Sequence, residues 1–279
     1  MVTQTLSEPV SLQGVGVHTG ADVSLWITPS DQDGIVFERT DLGGSVKASW
    51  TNVTATRLAT VIEADGISVK TVEHLMSAFS ALGIVAAHVA IDGPEVPIMD
   101  GSAKPFMEAL APVAVARGTI APIRVRVPVM ARRGDAFAAL LPHAGRRFDV
   151  GIDFEAPVIS LQRVVFDLTP DGFLSEIAPA RTFGPLRDVE KLRRKGFAKG
   201  ASLDNAIAVD GDRVANPEGL RFQDEFARHK LLDAIGDLAL AGRPIEGLYR
   251  SHKAGHRLNF ELLKALFRSA ENVAPVAQL

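Results

Sequence analysis

Four polar side chains recur at intervals of four residues in segment 224–240: Glu225, His229, Asp233 and Asp237. Residues four apart lie on the same side of an α-helix, so this spacing stacks the four groups along one edge. Acids at that spacing repel one another by about 0.2–0.5 kcal/mol per pair, which a cation would offset. His229 and Asp233 have the spacing for two ligands of one metal ion. Taken by itself, however, the stripe is more typical of a solvated acidic helix face.

An adjacent Glu73 and His74 lie in a second segment of helical periodicity, residues 71–82. Neighbouring residues are about 100° apart around a helix, so both side chains can approach one point beyond its side. A metal-binding His beside a Glu that deprotonates water is the arrangement of zinc hydrolases. The alternative is a surface Glu beside a partly buried His, because such pairs are common.

His256 is predicted to begin the last helix of the chain. A histidine can act as a general acid if a carboxylate raises its pKa, and Asp237 is the natural carboxylate here. The alternative is a capping or surface histidine. His88 lies in an apolar strand and is predicted to be a core residue.

The pattern of elements that must position these groups occurs twice along the chain. In the first half, the alternation of Val23, Leu25 and Ile27 with polar residues predicts strands between about residues 10 and 69. The remaining predicted elements are, in order, a helix over 71–82, a strand over 87–91 and a helix over 105–115; strands over 123–127, 137–141 and 148–154; then a helix over 224–240, a strand over 247–251 and a helix over 256–268. We therefore predict an α+β fold of two similar domains, residues 1–120 and 121–279.

Two further segments, one rich in glycine and one rich in basic residues, each have a structural and a functional interpretation. The glycine-rich residues 14–20 lack the G-x-G-x-x-G pattern and a following helix, so they are predicted to form a strand with tight turns rather than a nucleotide loop. The basic run 191–195 is predicted to be a solvated helix end, with contact to a membrane surface as the alternative.

Composition limits the class of protein. The chain has 279 residues, 30 Lys and Arg against 33 Asp and Glu, 47% hydrophobic and 23% charged residues. These values exclude a disordered chain and argue against a nucleic-acid partner. No apolar run approaches the roughly 20 residues needed to span a bilayer, and the first residues do not resemble a secretory signal. With no Cys and 7 His, any metal site must be built from His and carboxylates.

Five segments in one order resemble the UDP-3-O-acyl-N-acetylglucosamine deacetylase family, the zinc amidases of lipid A synthesis. The segments are Lys70–Leu75, Pro97–Ser102, Ala180–Gly184, Phe226–Asp237 and Lys253–His256. The resemblance covers nearly the whole chain. It implies a β-α-α-β sandwich of two similar domains, with the active site between them and a βαβ insert at about residues 180–210 in the second.

The resemblance also implies a role for each matching residue. His74, His229 and Asp233 would bind Zn²⁺ and leave one position open for water. Glu73 would be the general base, and His256, oriented by Asp237, would protonate the leaving amine. Thr182 would help to stabilise the oxyanion, and Lys230 would lie near polar groups of the substrate.

Substrate contacts follow from the same resemblance. Lys253 would meet the diphosphate and Phe154 would stack on uracil. An apolar passage for the fatty-acyl chain would be lined by Phe183, Leu186, Leu203 and Ala206. The family's basic nucleotide contact is replaced by Ala136, for which Arg132 or Arg133 can substitute, and Ala59 replaces a Cys that some members carry.

The implied protein is a cytoplasmic monomer that acts on a UDP-acyl-sugar, catalyses the committed step of lipid A synthesis and touches the membrane surface at most transiently. Fe²⁺ is an alternative to Zn²⁺, since His and Asp ligands accept either ion. Two rival functions use the same residues. Two His and one carboxylate also form the triad of Fe(II) oxygenases, and a non-catalytic lipid- or nucleotide-binding protein could retain the fold. Neither rival explains Glu73 and His256 together.

Overall fold

The computed structural model describes residues 1–273. In the first half the strands are β1 (Val2–Leu6), β2 (Val10–Val15), β3 (Asp22–Pro29), β4 (Gly34–Arg39), β5 (Gly44–Lys47), β6 (Val53–Ala55), β7 (Val61–Ala64), β8 (Ile67–Lys70), β9 (Ala86–Ile91) and β10 (Ala114–Thr119). In the second half they are β11 (Ile123–Arg124), β12 (Val129–Arg133), β13 (Ala136–Leu141), β14 (Arg146–Asp153), β15 (Leu161–Asp167), β16 (Phe183–Pro185), β17 (Ile207–Asp210), β18 (Arg213–Val214) and β19 (Ile245–His252). The helices are α1 (Glu73–Leu82), α2 (Lys104–Leu110), α3 (Pro170–Gly172), α4 (Val189–Arg194), α5 (Glu225–Ala239) and α6 (His256–Phe267).

The two main sheets share one topology. Their strand orders are β2-β3-β9-β4-β5 and β12-β13-β19-β14-β15, with β11 added beside β19. In each sheet the strand that comes last in the chain, β9 or β19, lies between two hairpins. It pairs antiparallel with a strand of the first hairpin (β3 or β13) and parallel with a strand of the second (β4 or β14). A helix precedes that late strand and another follows it: α1 and α2 around β9, α5 and α6 around β19. The predicted α+β repeat is confirmed at the level of topology, whereas the domain boundary near residue 120 stays a prediction.

Helices α1 and α5 lie in the interior of the molecule. Helix α1 packs against α5 and α2, α5 packs on β14 and β15, and α6 packs on β12 and β13. In α1 nine of the ten residues are buried, because α1 is covered on more than one side. The sheets have one solvated face: in β3, Val23, Leu25 and Ile27 are buried while Trp26 between them is 43% exposed. The predicted strand alternation is therefore confirmed.

Three element predictions differ from the structure. The second helix ends at Leu110 rather than near residue 115, because a short 3₁₀ turn containing Pro112 follows and residues 114–119 pair with β1 instead. The strand predicted over 123–127 is regular only at Ile123–Arg124. His88 is not a core residue: its ring is 38% exposed and its Nε2 lies 2.9 Å from Glu38 Oε2 on the solvated face of the first sheet.

The insert has the predicted βαβ arrangement. Strand β16 leads through α4 to β17, which pairs parallel to β16, and β18 then pairs antiparallel to β17. No helix in the described part of the chain is long and apolar enough to span a bilayer.

Candidate metal centre and active site

The polar stripe of α5 is buried. The exposed fractions of Glu225, His229, Asp233 and Asp237 are 0%, 2%, 2% and 3%. The solvated-face interpretation of this pattern is therefore wrong, because α1 packs against α5 and α6 also contacts it. Buried carboxylates and imidazoles need partners, and the structure provides a different set for each.

His74, His229 and Asp233 form a cluster whose candidate ligand atoms all lie within 4.8 Å of one another. The Nε2 atoms of His74 and His229 are 3.6 Å and 3.4 Å from Asp233 Oδ1. The Nδ1 of His229 donates to the carbonyl oxygen of Ala180 at 3.1 Å, which leaves the Nε2 lone pair directed at the cluster. The sequence thus places two ligands on α5, and the fold brings the third from α1.

Burial sets the protonation of His229, and neighbouring charges set that of Asp233. Burial lowers the pKa of His229 to about 3, so the imidazole is neutral and able to ligate. Burial works against the charged form of Asp233, yet the cationic groups around it hold its pKa well below the usual range. Among them, Lys230 Nζ lies 2.6 Å from Asp233 Oδ2. Neutral imidazoles and an ionised carboxylate are the states that bind a divalent metal ion.

Glu73 lies beside the cluster with only 3% of its surface exposed. Its Oε2 accepts a hydrogen bond from the backbone N–H of Thr60 at 3.2 Å, and its Oε1 is 3.6 Å from His256 Nε2. Burial raises the pKa of Glu73 to about 7, despite the opposing effect of His256. A carboxylate with that pKa can exchange a proton near neutral pH.

His256 faces Glu73 from the beginning of α6. Its Nδ1 is 2.9 Å from Asp237 Oδ2, and its Nε2 is also 4.0 Å from Asp233 Oδ2. Burial alone would lower the pKa of His256, but Asp237 and Glu73 raise it to about 10. The imidazole is therefore held as a cation, with Nδ1 engaged and Nε2 directed at Glu73 and Asp233.

Asp237 is held by two residues that the sequence analysis missed. Thr60 Oγ1 donates to Asp237 Oδ1 at 2.7 Å, and Asn259 Nδ2 donates to Oδ2 at 2.8 Å. The buried hydroxyl of Tyr249 in turn donates to Asn259 Oδ1 at 2.6 Å. Asn259 lies three residues after His256 on α6, so helical spacing was a usable signal for it. No local pattern pointed to Thr60.

A cavity of about 830 Å³ opens beside these residues. The cluster, Glu73 and His256 line one part of it, together with Thr182, Phe183 and Lys230. The insert lines another part, through Leu186, Leu203 and Ala206 among others. The cavity wall therefore brings together the predicted metal ligands, every predicted catalytic residue except Asp237, and four of the predicted substrate contacts.

Lys253 and Phe154 lie outside the wall of this cavity. Lys253 Nζ is 2.8 Å from Asp135 Oδ2 and 3.0 Å from Asp153 Oδ2, and these carboxylates raise its pKa. The ring of Phe154 is 41% exposed and meets Phe183 edge-on, with centroids 5.6 Å apart. The ring of Phe183 also lies 6.1 Å from His229, so Phe154 is linked to the cluster through one intervening ring.

The glycine-rich loop 14–20 also reaches the cavity, through Val17 and His18. Buried Glu95 holds this loop by accepting hydrogen bonds from the backbone N–H groups of His18 and Thr19 at 3.0 and 2.8 Å. A Cβ at Gly16 would lie 2.5 Å from Glu95 Oε2, so a side chain at this position would displace the carboxylate that holds the loop. The prediction of a tight turn instead of a nucleotide loop is confirmed, but the loop's place beside the cavity was missed.

Comparisons with known proteins point to one family. The family model for UDP-3-O-acyl N-acetylglycosamine deacetylase matches residues 3–268. The UDP-3-O-acyl-N-acetylglucosamine deacetylase of Myxococcus xanthus (strain DK1622) is 50% identical over 267 residues, which cover 94% of this chain and 85% of that protein. The protein of the same name from Brucella ovis (strain ATCC 25840 / 63/290 / NCTC 10512) is 46% identical over 269 residues, covering 94% of each chain.

Proposed function

Because this chain belongs to the UDP-3-O-acyl N-acetylglycosamine deacetylase family, we propose that it hydrolyses the acetamide of UDP-3-O-((3R)-hydroxyacyl)-N-acetylglucosamine. The products are acetate and the free amine, and the reaction is the committed step of lipid A synthesis. The observation that carries the proposal is the buried cluster of His74, His229 and Asp233 with Glu73 and His256 beside it.

The residues of the cluster fit a divalent metal ion. Two imidazoles and one carboxylate form the donor set of catalytic zinc sites with an open position. Among the described residues, His74 Nδ1 is buried without a hydrogen-bond partner, so the orientation of this ring is not explained by protein contacts alone. We propose Zn²⁺ as the ion, with Fe²⁺ as the alternative for the same donors. When bound, such an ion would lower the pKa of water and polarise the amide carbonyl.

Glu73 and His256 divide the proton transfers between them. As the oxygen of water bonds to the acetyl carbon, Glu73 Oε1 takes the proton that water loses. As the bond between that carbon and nitrogen breaks, His256 Nε2 gives its proton to the nitrogen, which leaves as an amine. Asp237 keeps His256 protonated and oriented through Nδ1. Thr182 and Lys230, on the cavity wall, would stabilise the oxygen that becomes negative and hold nearby polar groups.

The substrate would occupy both parts of the cavity. Its acyl chain would lie along the insert, against Leu186, Leu203 and Ala206, with Phe183 between the chain and the cluster. We propose that the uracil stacks on Phe154, whose ring has an exposed surface. Binding of the diphosphate by Lys253 would require exchange of its contacts with Asp135 and Asp153.

Arg133 is the favoured replacement for the missing basic group at Ala136. The two residues are directly opposite one another in the β12–β13 hairpin. Side chains of directly opposed residues point to the same side of a sheet. Arg133 therefore projects from the same face of the hairpin as a basic residue at position 136 would. Arg132 points to the other side and its Nε donates to the Gly134 carbonyl at 2.9 Å.

We further propose two domains, residues 1–120 and 121–279, acting in a cytoplasmic monomer. The shared sheet topology supports the division. All the residues given roles belong to one chain, so a single copy contains a whole site. Light scattering of the purified protein and fractionation of cells would test these statements.

The deciding experiment combines metal analysis with a deacetylation assay of His229→Ala and Glu73→Ala. The first variant should lose bound metal and activity, and the second should keep its metal but lose activity. Matched controls are His88→Ala and Glu38→Ala, which remove an exposed His–Glu pair on the first sheet. Wild-type turnover in both site variants would overturn the proposal. Dependence of turnover on O₂ and a 2-oxoacid would favour the oxygenase, and tight substrate binding without acetate release would favour a binding protein.

A further inference from the structure

Three exposed leucines lie on the wall of the cavity, and two of them belong to the insert. Leu58, Leu186 and Leu203 are 44%, 43% and 43% exposed, and all three contribute to the cavity wall. Leu58 has a φ of 67°, in the left-handed region that bulky side chains avoid. Exposed apolar groups around the opening of an apolar cavity are characteristic of a surface that meets another apolar phase.

Segment 186–199, which contributes to the cavity wall together with these leucines, carries a concentrated positive charge. Residues 186–199 contain six basic and two acidic side chains, a net charge of +4, although the whole chain has a net charge of −3. The rest of the chain therefore carries −7. This separation of charge distinguishes segment 186–199 from the rest of the chain.

Most of these cations have no carboxylate partner. Within residues 1–273, Arg187, Lys191, Arg194, Lys195 and Lys199 form no ion pair, whereas Arg193 lies 3.4 Å from Glu190. Arg187, Arg194 and Lys199 are exposed and do not line the cavity. Their charges are therefore available to a surface outside the opening rather than to a molecule within it.

We propose that this rim, Leu58, Leu186 and Leu203 with the basic residues of segment 186–199, docks on a bilayer of anionic phospholipid. The leucines enter the interface between headgroups and acyl chains, and the cations face lipid phosphates. The inference rests on the proposed function, because docking would turn the acyl part of the cavity toward the membrane where acyl chains reside. An acidic protein would match the charge but would not account for leucines placed around an acyl-sized opening.

The test measures binding of the full chain to vesicles in the absence of substrate. Phosphatidylcholine vesicles containing phosphatidylglycerol should bind the protein, pure phosphatidylcholine vesicles should not, and added NaCl should release it. Each Lys or Arg near an anionic surface strengthens binding roughly fivefold. The double variant Arg194→Glu/Lys199→Glu should thus bind at least roughly 25-fold more weakly, because it loses two such cations and adds two anions.

The matched control is Lys264→Glu/Arg268→Glu, which makes the same charge change near the far end of α6. The control should bind anionic vesicles like the wild type. Equal weakening in both variants, or equal binding of the wild type to neutral and anionic vesicles, would overturn the docking proposal. Displacement of the protein from vesicles by UDP would instead assign the cations to the substrate's phosphates.

Activity on a water-soluble, short-acyl substrate separates this inference from the proposed function. Both double variants should deacetylate it at the wild-type rate, since the four residues lie outside the cavity. Loss of vesicle binding with full activity would support docking, whereas an inactive wild-type protein that still binds vesicles would overturn only the proposed function.

Discussion

Gly236 of α5 lies directly against the backbone carbonyl group of Glu73 at the beginning of α1. A Cβ at position 236 would overlap the Glu73 carbonyl oxygen and lie 2.7 Å from its carbon. This close approach allows the two helices to bring Glu73 and His74 to the polar edge of α5. One missing side chain therefore sets the separation between the two halves of the candidate site.

Gly236→Ala should destabilise the protein by about 1–3 kcal/mol, because the added methyl group meets backbone atoms that cannot move without shifting a helix. The same shift should weaken metal binding. Urea denaturation and metal titration would measure the two effects. Gly118→Ala is the matched control, because a Cβ at this exposed position has nothing within 4 Å. Equal effects in the two variants would contradict the steric explanation.

Glu73→Gln should lower kcat by about 10²–10⁴-fold, since the amide has nearly the same shape but cannot accept a proton. KM should change little, because the substituted group takes part in proton transfer rather than in substrate binding. Steady-state kinetics with the long-acyl substrate would measure both constants. A rise in KM without loss of kcat would instead indicate that Glu73 binds the substrate.

The pH profile of kcat/KM should be bell-shaped. Glu73 must be deprotonated and has a pKa of about 7, so activity rises as pH increases through that region. His256 must be protonated and has a pKa of about 10, so activity is lost as pH increases through that value. A bound cation would lower both pKa values, so the positions of the two limbs are upper bounds.

Asp237→Asn should move the alkaline limb to lower pH. The Asp237 carboxylate raises the pKa of His256, and an amide retains a hydrogen bond but not the charge. The acidic limb should move less, and if it moves it should also go to lower pH, since Asp237 raises the pKa of Glu73. An unchanged alkaline limb would show that another group controls it.

Arg181→Met should destabilise the fold strongly. Arg181 is 1% exposed and its Nε donates to the fully buried Glu225 at 2.9 Å, so the substitution leaves an unpaired buried carboxylate, at a cost of about 3–5 kcal/mol. Since Ala180 precedes Arg181 and accepts from His229, metal binding should weaken too. Arg213→Met, which removes an exposed ion pair with Asp210, should leave the free energy of unfolding nearly unchanged. Equal unfolding midpoints in the two variants would contradict this account.

Ala206→Phe should reduce activity on long acyl chains more than on short ones. Ala206 lines the part of the cavity assigned to the chain, and a phenyl ring would shorten the available space. The ratio of kcat/KM for substrates of two chain lengths would measure the effect, with the short substrate as the internal control. Equal losses on both substrates would place the acyl chain elsewhere.

Local patterns in the sequence were sufficient to predict the elements and part of the site. The period of two predicted a strand at β3, and the spacings of three and four predicted α1, α5 and α6 to within two residues of their ends. Helical spacing also placed His229, Asp233 and Asp237 on one edge of α5. These properties are local, because they depend only on which residues follow one another along a regular backbone.

Only the tertiary structure decided which environment each group occupies. The stripe on α5 has the composition of a solvated face, and its burial depends on α1, which lies about 150 residues earlier in the chain. Contacts between residues distant in the chain also bring Thr60 to Asp237 and Asp135 to Lys253. The burial that such packing produces raises the pKa of Glu73. Burial and charge are summed over neighbours in space, so residue spacing could identify candidate ligands but not their protonation or their partners.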